Sequence, residues 1–172
     1  TPAAVEIIEE TVGKIRASRR EDRPVILAFG AHTIKNGLGP VLIDLMENGW
    51  VQHVATNGAG IIHDWEFSFQ GETSEDVEKY TQEGQFGIWQ ETGHHLNLAI
   101  LLGAYDGLGY GESVGRLIAT GMHTIPSREE LLKAIGRASE SPELAERAAA
   151  ACDVLAQMQR FGLTRGDVAV AH

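Results

Sequence analysis

The chain has 172 residues, of which 43% are hydrophobic and 22% charged, a composition typical of a soluble globular protein of about one domain. Its formal net charge of −10 at pH 7 disfavours nucleic acid as a partner, because contact with phosphates normally requires a basic patch. The apolar runs fall far short of the roughly 18 to 20 residues that span a bilayer, so we expect no membrane association. The acidic N-terminal stretch does not have the pattern of a secretion signal, which makes the cytoplasm the expected location.

The first 60 residues alternate between helical and strand patterns. Apolar residues recur at spacings of three and four over residues 3–18, which predicts an amphipathic helix. The apolar run at 24–29 predicts a buried strand, residues 39–48 have a helical pattern, and a second strand is expected at 51–56. A strand, a helix and a strand in this order have the crossover length of a right-handed parallel βαβ unit.

Residues beyond 64 are mostly helical in pattern. Helices are predicted at 76–82, 88–103, 112–120, 128–139 and 142–161. Ser127 and Ser141 are the expected N-caps of the last two helices. Cys152 is expected on a buried helix face, and "DVAVAH" at 167–172 is expected to form a third strand. Three strands form too small a sheet for about seven helices to cover from both sides, so we expect a longer chain or a core completed by another copy.

Glycine-rich turns follow both strands of the predicted βαβ unit. Their glycine and polar residues are Gly30, His32, Thr33, Lys35, Asn36, Gly37 and Gly39 in the first turn, and Thr56, Asn57, Gly58, Gly60, His63 and Asp64 in the second. The carboxyl ends of neighbouring parallel strands converge on one crevice, where helix N-termini favour anions. The turns are therefore a candidate ligand site, although the same glycines are also compatible with two tight turns that bind nothing. The usual dinucleotide fingerprint is absent, because His63 stands where its third glycine belongs.

The stretch "ILAFGAHTIKNGLGPVLIDLMENGWVQHVATNGAGIIHDWE" resembles the deoxyhypusine synthase family, and most closely its bacterial branch. The resemblance covers about residues 24–66. It implies an α/β fold with a Rossmann-like parallel sheet covered by helices, NAD bound near subunit interfaces, and a homo-oligomer, either tetramer or dimer. It further implies that residues 1–172 form a single dinucleotide-binding-like domain, the N-terminal part of a longer chain. The residues that would bind NAD are Gly30, Ala31, His32, Asn36 and Gly37 in the first turn, and Thr56, Asn57, Gly58, Ala59 and Gly60 in the second.

The chain departs from the synthase pattern in two places. First, Asp64 matches an acid after the second turn of the family, but Ile62 and His63 stand ahead of it. Second, the family uses a lysine near its C-terminal end to carry an imine, and no lysine follows Lys133 in this sequence. We therefore predict an NAD-binding protein without complete deoxyhypusine synthase chemistry. If it is an enzyme, it is a transferase or oxidoreductase acting on a small amine or alcohol. The residues that would carry that chemistry are His32, Lys35, His63 and Asp64, with a histidine moving the proton that accompanies hydride loss.

Two other functional classes are compatible with the sequence. One is a non-catalytic binding protein that keeps the nucleotide pocket without the synthase chemistry. The other is a metal-dependent hydrolase built on Glu91, His94 and His95, with His63 as a further candidate, because Glu91 lies three and four residues before the two histidines. No second carboxylate–histidine pair accompanies this one, so a hydrogen-bonded or solvated histidine pair is the favoured interpretation and no metal ligand is predicted.

Overall fold

The computed structural model describes residues 1–73 and 75–170. The helices are α1 (Pro2–Arg20), α2 (Ala31–Lys35), α3 (Gly39–Glu47), α4 (Gly58–Gln70), α5 (Val77–Gln82), α6 (Gln90–Tyr105), α7 (Tyr110–Thr120), α8 (Arg128–Gly136) and α9 (Pro142–Phe161). The strands are β1 (Ile26–Ala28), β2 (His53–Ala55), β3 (Met122–Ile125) and β4 (Gly166–Ala169). Across the described residues, no helix combines the length and the apolar composition needed to cross a membrane.

The fold class expected from the resemblance is wrong. The structure is 64% helical, and its described residues form two separate two-stranded sheets, not a Rossmann-like parallel sheet covered by helices. The strands are only three or four residues long, and the chain continues from the first βαβ unit into helices without adding strands to it. Two short strands cannot form the broad central layer that an α/β architecture requires.

Two compact units make up the chain, unit 1 (Thr1–Asp64) and unit 2 (Trp65–His172). Unit 1 contains the predicted βαβ arrangement. Strands β1 and β2 are parallel, with Leu27 opposite Val54, and α2 and α3 lie between them in the sequence. The prediction of adjacent parallel strands joined by a helix is therefore confirmed. Helix α3 matches the predicted helix closely, and it begins beside Pro40, which suits the first turn of a helix because its missing N–H needs no partner there.

Unit 1 keeps much of its apolar surface exposed. Helix α1 matches the prediction in extent, but none of its residues is buried, and Ile8 on its apolar stripe is 60% exposed. Ile26 of β1 and Val41 of α3 are 64% and 52% exposed. A continuous apolar run normally indicates a strand buried on both faces, so this exposure is unusual for the pattern that predicted β1.

The core of unit 2 lies among α6, α8, α9 and β3. Its buried residues are Leu98, Leu102, Tyr105, Ile125, Leu131, Ala150, Ala151 and Val154. Cys152 is exposed, contrary to prediction, because the buried stripe of α9 runs through Ala148, Ala151 and Val154 and Cys152 is one residue off that face. Gly103 of α6 is also buried, and a Cβ there would lie 2.5 Å from the Ser113 Cβ, so α6 and α7 are in close contact.

The second sheet pairs β3 with β4 in antiparallel register, with His123 opposite Val168. Strand β4 corresponds to the predicted third strand, and the last two residues of that prediction, 171–172, lie outside the described residues. The predicted helix caps are confirmed. The Ser127 hydroxyl accepts a hydrogen bond from the Glu130 N–H at 3.2 Å and the Glu130 carboxylate accepts one from the Ser127 N–H at 2.7 Å, which is a complete capping box at the start of α8. Ser141 caps α9 in the same manner with its hydroxyl.

Candidate functional site

The two glycine-rich turns leave the sheet of unit 1 at the same edge. Because β1 and β2 are parallel and the Phe29 N–H donates to the Ala55 carbonyl at 3.0 Å, the chain exits both strands side by side. Each turn leads directly into a helix, with Gly30 as the N-cap of α2 and Gly58 as the first residue of α4. The structure therefore brings together the turns that sequence reasoning paired.

Gly60 of the second turn lies close to Thr56 of its own turn and to Ala31, which follows the first strand. A Cβ at Gly60 would lie 2.7 Å from Thr56 Oγ1 and 3.7 Å from the Cα of Ala31. The Gly60 N–H donates to the Asn57 backbone carbonyl at 3.0 Å and lies 3.2 Å from Asn57 Oδ1, so the Asn57 side chain supports the start of α4. Gly60 is thus required for packing of the turns, whatever else the turns bind.

Gly30 differs from Gly60 in its surroundings. A Cβ added at Gly30 meets no atom within 4 Å, and its extended backbone, with φ −88° and ψ 167°, is accessible to any residue. Gly37, at the end of the first turn, has φ +78°, which favours glycine. Open space therefore lies next to the backbone at Gly30, whereas the glycine at 37 is explained by its conformation.

The four candidate catalytic residues lie on the helices that follow the turns. His32 is exposed near the start of α2, and Lys35 is half-buried at its end. His63 and Asp64 lie about one turn beyond Gly60 in α4. Asp64 is exposed, yet partial burial of its carboxyl group raises its pKa above the ordinary value. Neither turn carries an acidic residue over 30–37 or 56–60, so the local charge is more favourable to an anion than the net charge of the chain suggests.

A second cluster of functional side chains lies in unit 2 and is built around histidines. The rings of His95 and His123 stack 5.4 Å apart, and His95 Nδ1 lies 3.1 Å from His123 Nε2. The His94 ring meets His95 edge-on at 5.2 Å. Trp65 and Phe69 stack on each other at 4.8 Å, and the centroid of each ring lies 5.9 Å from that of His95. We call these five residues the histidine cluster.

The surroundings of His95 and His123 favour uncharged imidazoles. His123 is 2% exposed, and burial together with the nearby His95 and His94 lowers its pKa to about 4. Burial and His94 lower the pKa of His95 as well, although Glu91 acts in the opposite direction. At neutral pH one ring of the His95–His123 pair donates its N–H and the other accepts. Glu91 therefore affects His95 electrostatically, but the hydrogen-bond partner of His95 is His123.

The described residues around these histidines form no metal-binding group. Among the residues that the structure describes, no set of three or more histidine, cysteine, aspartate or glutamate side chains could hold a metal ion. Sequence reasoning identified His94 and His95 but missed His123, which lies 28 residues further along the chain. His123 and Ile125 are buried in β3 and Met122 and Thr124 are exposed, but the sequence Met-His-Thr-Ile does not alternate between polar and apolar residues, so it gives no signal for a buried His123.

Comparisons with known proteins give no relative for this chain. No family profile, curated protein or solved structure matches it. The resemblance to the deoxyhypusine synthase family over residues 24–66 therefore stays a prediction, and so do the NAD site and the chemistry that it implies.

Proposed function

We propose that the chain binds NAD across the paired turns of unit 1 and acts as an NAD-dependent transferase or oxidoreductase on a small amine or alcohol. One observation carries the proposal: the turns at 30–37 and 56–60 leave adjacent parallel strands at one edge and approach each other at Ala31 and Gly60. Crevices at the carboxyl ends of parallel strands are the usual ligand sites of such βαβ units.

The residues of the turns fit a dinucleotide in shape and charge. The space next to Gly30 would let a ligand approach the backbone, and α4 is a 13-residue helix whose N-terminus starts within the second turn, at Gly58. Peptide N–H groups at a helix N-terminus favour phosphate, and no acidic side chain within the turns opposes it. The hydroxyl of Thr56 and the amide of Asn36 are of the kind that hydrogen-bonds ribose or a carboxamide.

Bound NAD would supply a hydride acceptor, and the protein would have to supply proton transfer and orientation. His32 and His63 are the candidate bases for the proton that leaves a substrate amine or alcohol. Partial burial raises the pKa of Asp64, and shifted pKa values are common among groups that exchange protons with a substrate. Lys35 adds positive charge after the first turn.

A non-catalytic nucleotide-binding protein is the second candidate function. The replacement of family acids by Ile62 and His63 favours it, because the pocket could persist after the substrate site has changed. The two candidates differ in one readout. A catalytic protein incubated with NAD and a panel of small amines and alcohols would convert at least one of them, which mass spectrometry detects whether the hydride stays on the nicotinamide or is returned to a product. A binding protein would leave the whole panel unchanged. The hydrolase alternative has no support from the described histidines, which form no metal-binding group.

Self-association and a cytoplasmic location belong to the same proposal. The exposed apolar residues of α1, β1 and α3 support self-association, since large apolar surfaces of soluble proteins usually contact a partner. A single cysteine, which allows no intramolecular disulfide, supports a reducing compartment.

The proposal is tested by calorimetric titration of NAD into the parent protein and two glycine variants. Gly30→Val should abolish binding, because its side chain would fill the space next to the turn, while its backbone conformation remains allowed. Loss of a glycine N-cap by itself costs at most about 1 kcal/mol, so the variant should fold. Gly13→Val, in the exposed middle of α1 with no atom within 4 Å of the new Cβ, is the matched control and should bind as the parent does. Equal affinity in all three proteins would refute the site.

A further inference from the structure

A cavity lies within unit 2, between α6 and α9. Its volume is about 440 Å³, within the range of about 300 to 1,000 Å³ that is usual for small-molecule pockets. Its walls come from α6, from the C-terminal half of α9, and from Leu163 just beyond α9. Neither the turns of unit 1 nor the proposed NAD site contributes to it.

The walls of this cavity are mainly apolar. Leu98 and Leu101 of α6 line it together with Leu163. Phe161, the last residue of α9, also lines the cavity, and its ring meets the His94 ring edge-on at 5.5 Å. The Phe161 side chain is 51% exposed, which is unusual for an aromatic ring that has a cavity beside it to enter. A ligand in the cavity would cover part of this ring.

The polar groups of the cavity are all uncharged amides or an imidazole. Gln90, Asn97 and Gln157 line it together with His94, and among the described residues that line it there is no lysine, arginine, aspartate or glutamate. The Asn97 amide nitrogen donates to the Gly93 carbonyl at 2.6 Å, which fixes the side chain and leaves its carbonyl oxygen to accept from a ligand. An ion placed among such walls would lose hydration without gaining a countercharge, so the cavity favours an uncharged occupant.

We propose that unit 2 binds a small uncharged molecule in the cavity between α6 and α9. The ligand has an apolar ring or chain that packs on the leucine side chains and Phe161, and at least one group that hydrogen-bonds to the amides or to His94. A few well-placed polar groups in an otherwise apolar pocket are the usual means by which a protein fixes the orientation of such a ligand. This proposal does not rest on NAD binding, and it is tested separately.

The experiment uses a matched pair of fluorescent probes. N-phenyl-1-naphthylamine is uncharged, has two aromatic ring systems and one N–H donor, and gains fluorescence in an apolar site. The second probe, 1-anilinonaphthalene-8-sulfonate, has the same ring skeleton with an added negative charge. Titration of each into the full chain separates the contribution of apolar fit from that of charge. We expect saturable binding of the uncharged probe at one site per chain, and binding of the sulfonate at least about tenfold weaker.

Two glycine variants locate the probe. Gly93 lines the cavity and a Cβ there meets no atom within 4 Å, so Gly93→Leu should fill cavity space. Gly115 lies in α7, is equally free of neighbours, and does not line the cavity, which makes Gly115→Leu the matched control. Both changes replace a helical glycine with a better helix former, so both proteins should fold. Gly93→Leu should weaken the uncharged probe at least about tenfold, and Gly115→Leu should leave its affinity unchanged.

Three outcomes would overturn the proposal. The first is no saturable binding of the uncharged probe by the parent protein. The second is equal affinity in the parent and in Gly93→Leu, which would mean that the probe occupies exposed apolar surface elsewhere. The third is equal affinity for the sulfonate and the uncharged probe, which would show that the cavity does not select against charge.

Discussion

Acidification should destabilise unit 2 through His123. The neutral ring of His123 is favoured in the folded state, because burial and the nearby His95 and His94 lower its pKa from 6.5 to about 4. In the unfolded chain the same imidazole takes up a proton near its ordinary pKa. The unfolded state therefore binds more protons between pH 6.5 and pH 4, and the stability that is present above pH 6.5 is lost as the pH falls through this window.

The size of the effect follows from the difference in pKa. One pKa unit corresponds to about 1.4 kcal/mol. Lowering the pKa of His123 from 6.5 to about 4 therefore reduces the free energy of unfolding by roughly 3 kcal/mol at a pH low enough to protonate the ring in both the unfolded and the folded state. Between pH 7.5 and pH 5 the expected loss is about 2 kcal/mol. The lowered pKa of His95 acts in the same direction. A variant with His123→Gln keeps a side chain that can hydrogen-bond to His95 but removes the titrating group, so it should lose about 2 kcal/mol less over the same interval.

The assay is urea unfolding at pH 7.5, 6.5, 5.5 and 5.0, followed through amide resonances of unit 2 so that unfolding of unit 1 does not enter the signal. The comparison between parent and His123→Gln cancels the titration of the many carboxylates. An NMR titration of the His123 ring supplies a direct check, because its resonances should remain those of a neutral ring well below pH 6. Parallel pH dependence in the two proteins, or titration of His123 near pH 6.5, would refute the reasoning.

Two further predictions concern packing and assembly. Gly103→Ala should destabilise unit 2 by about 2 kcal/mol in urea unfolding, because the added Cβ would overlap Ser113. The double variant Gly103→Ala, Ser113→Gly should lose less stability than the sum of the two single variants. Additive losses would mean that α6 and α7 are not in the contact described. Light scattering at micromolar concentration should give a mass above that of one chain. Ile8→Glu should lower this mass because Ile8 is 60% exposed on α1, and Glu6→Gln is the control. A monomeric parent would contradict self-association.

Local patterns in the sequence predicted the secondary structure well. The spacing of apolar residues over 3–18 gave α1, and Ser127 and Ser141 marked the starts of α8 and α9, because caps and amphipathic faces depend on residues within one or two turns. The βαβ order of unit 1 was predictable for the same reason, since short crossovers leave few alternatives for the pairing of consecutive strands.

Long-range pairing was not predictable from these patterns. Strand β4 was expected as a third strand beside the two of the βαβ unit, but its partner is β3, a four-residue strand that was not predicted. The contact between His95 and His123 depends on how α6 packs against β3. Helix α4 was not predicted, because its first residues, Gly58 to Gly60, have the composition of a turn. In the folded chain, tertiary contacts override their low helix propensity. The prediction of the fold class was wrong because one βαβ unit does not determine which further elements the rest of the chain adds to it.

The most direct test of the central claim is NMR mapping of NAD on the isotope-labelled protein. The NAD proposal predicts that saturating NAD shifts backbone amide resonances at 30–37 and 56–60, with Gly30 and Gly58 among the largest changes, while the core residues of unit 2 stay unperturbed. Absence of any shift at millimolar NAD, or shifts confined to unit 2, would contradict a dinucleotide site at the paired turns.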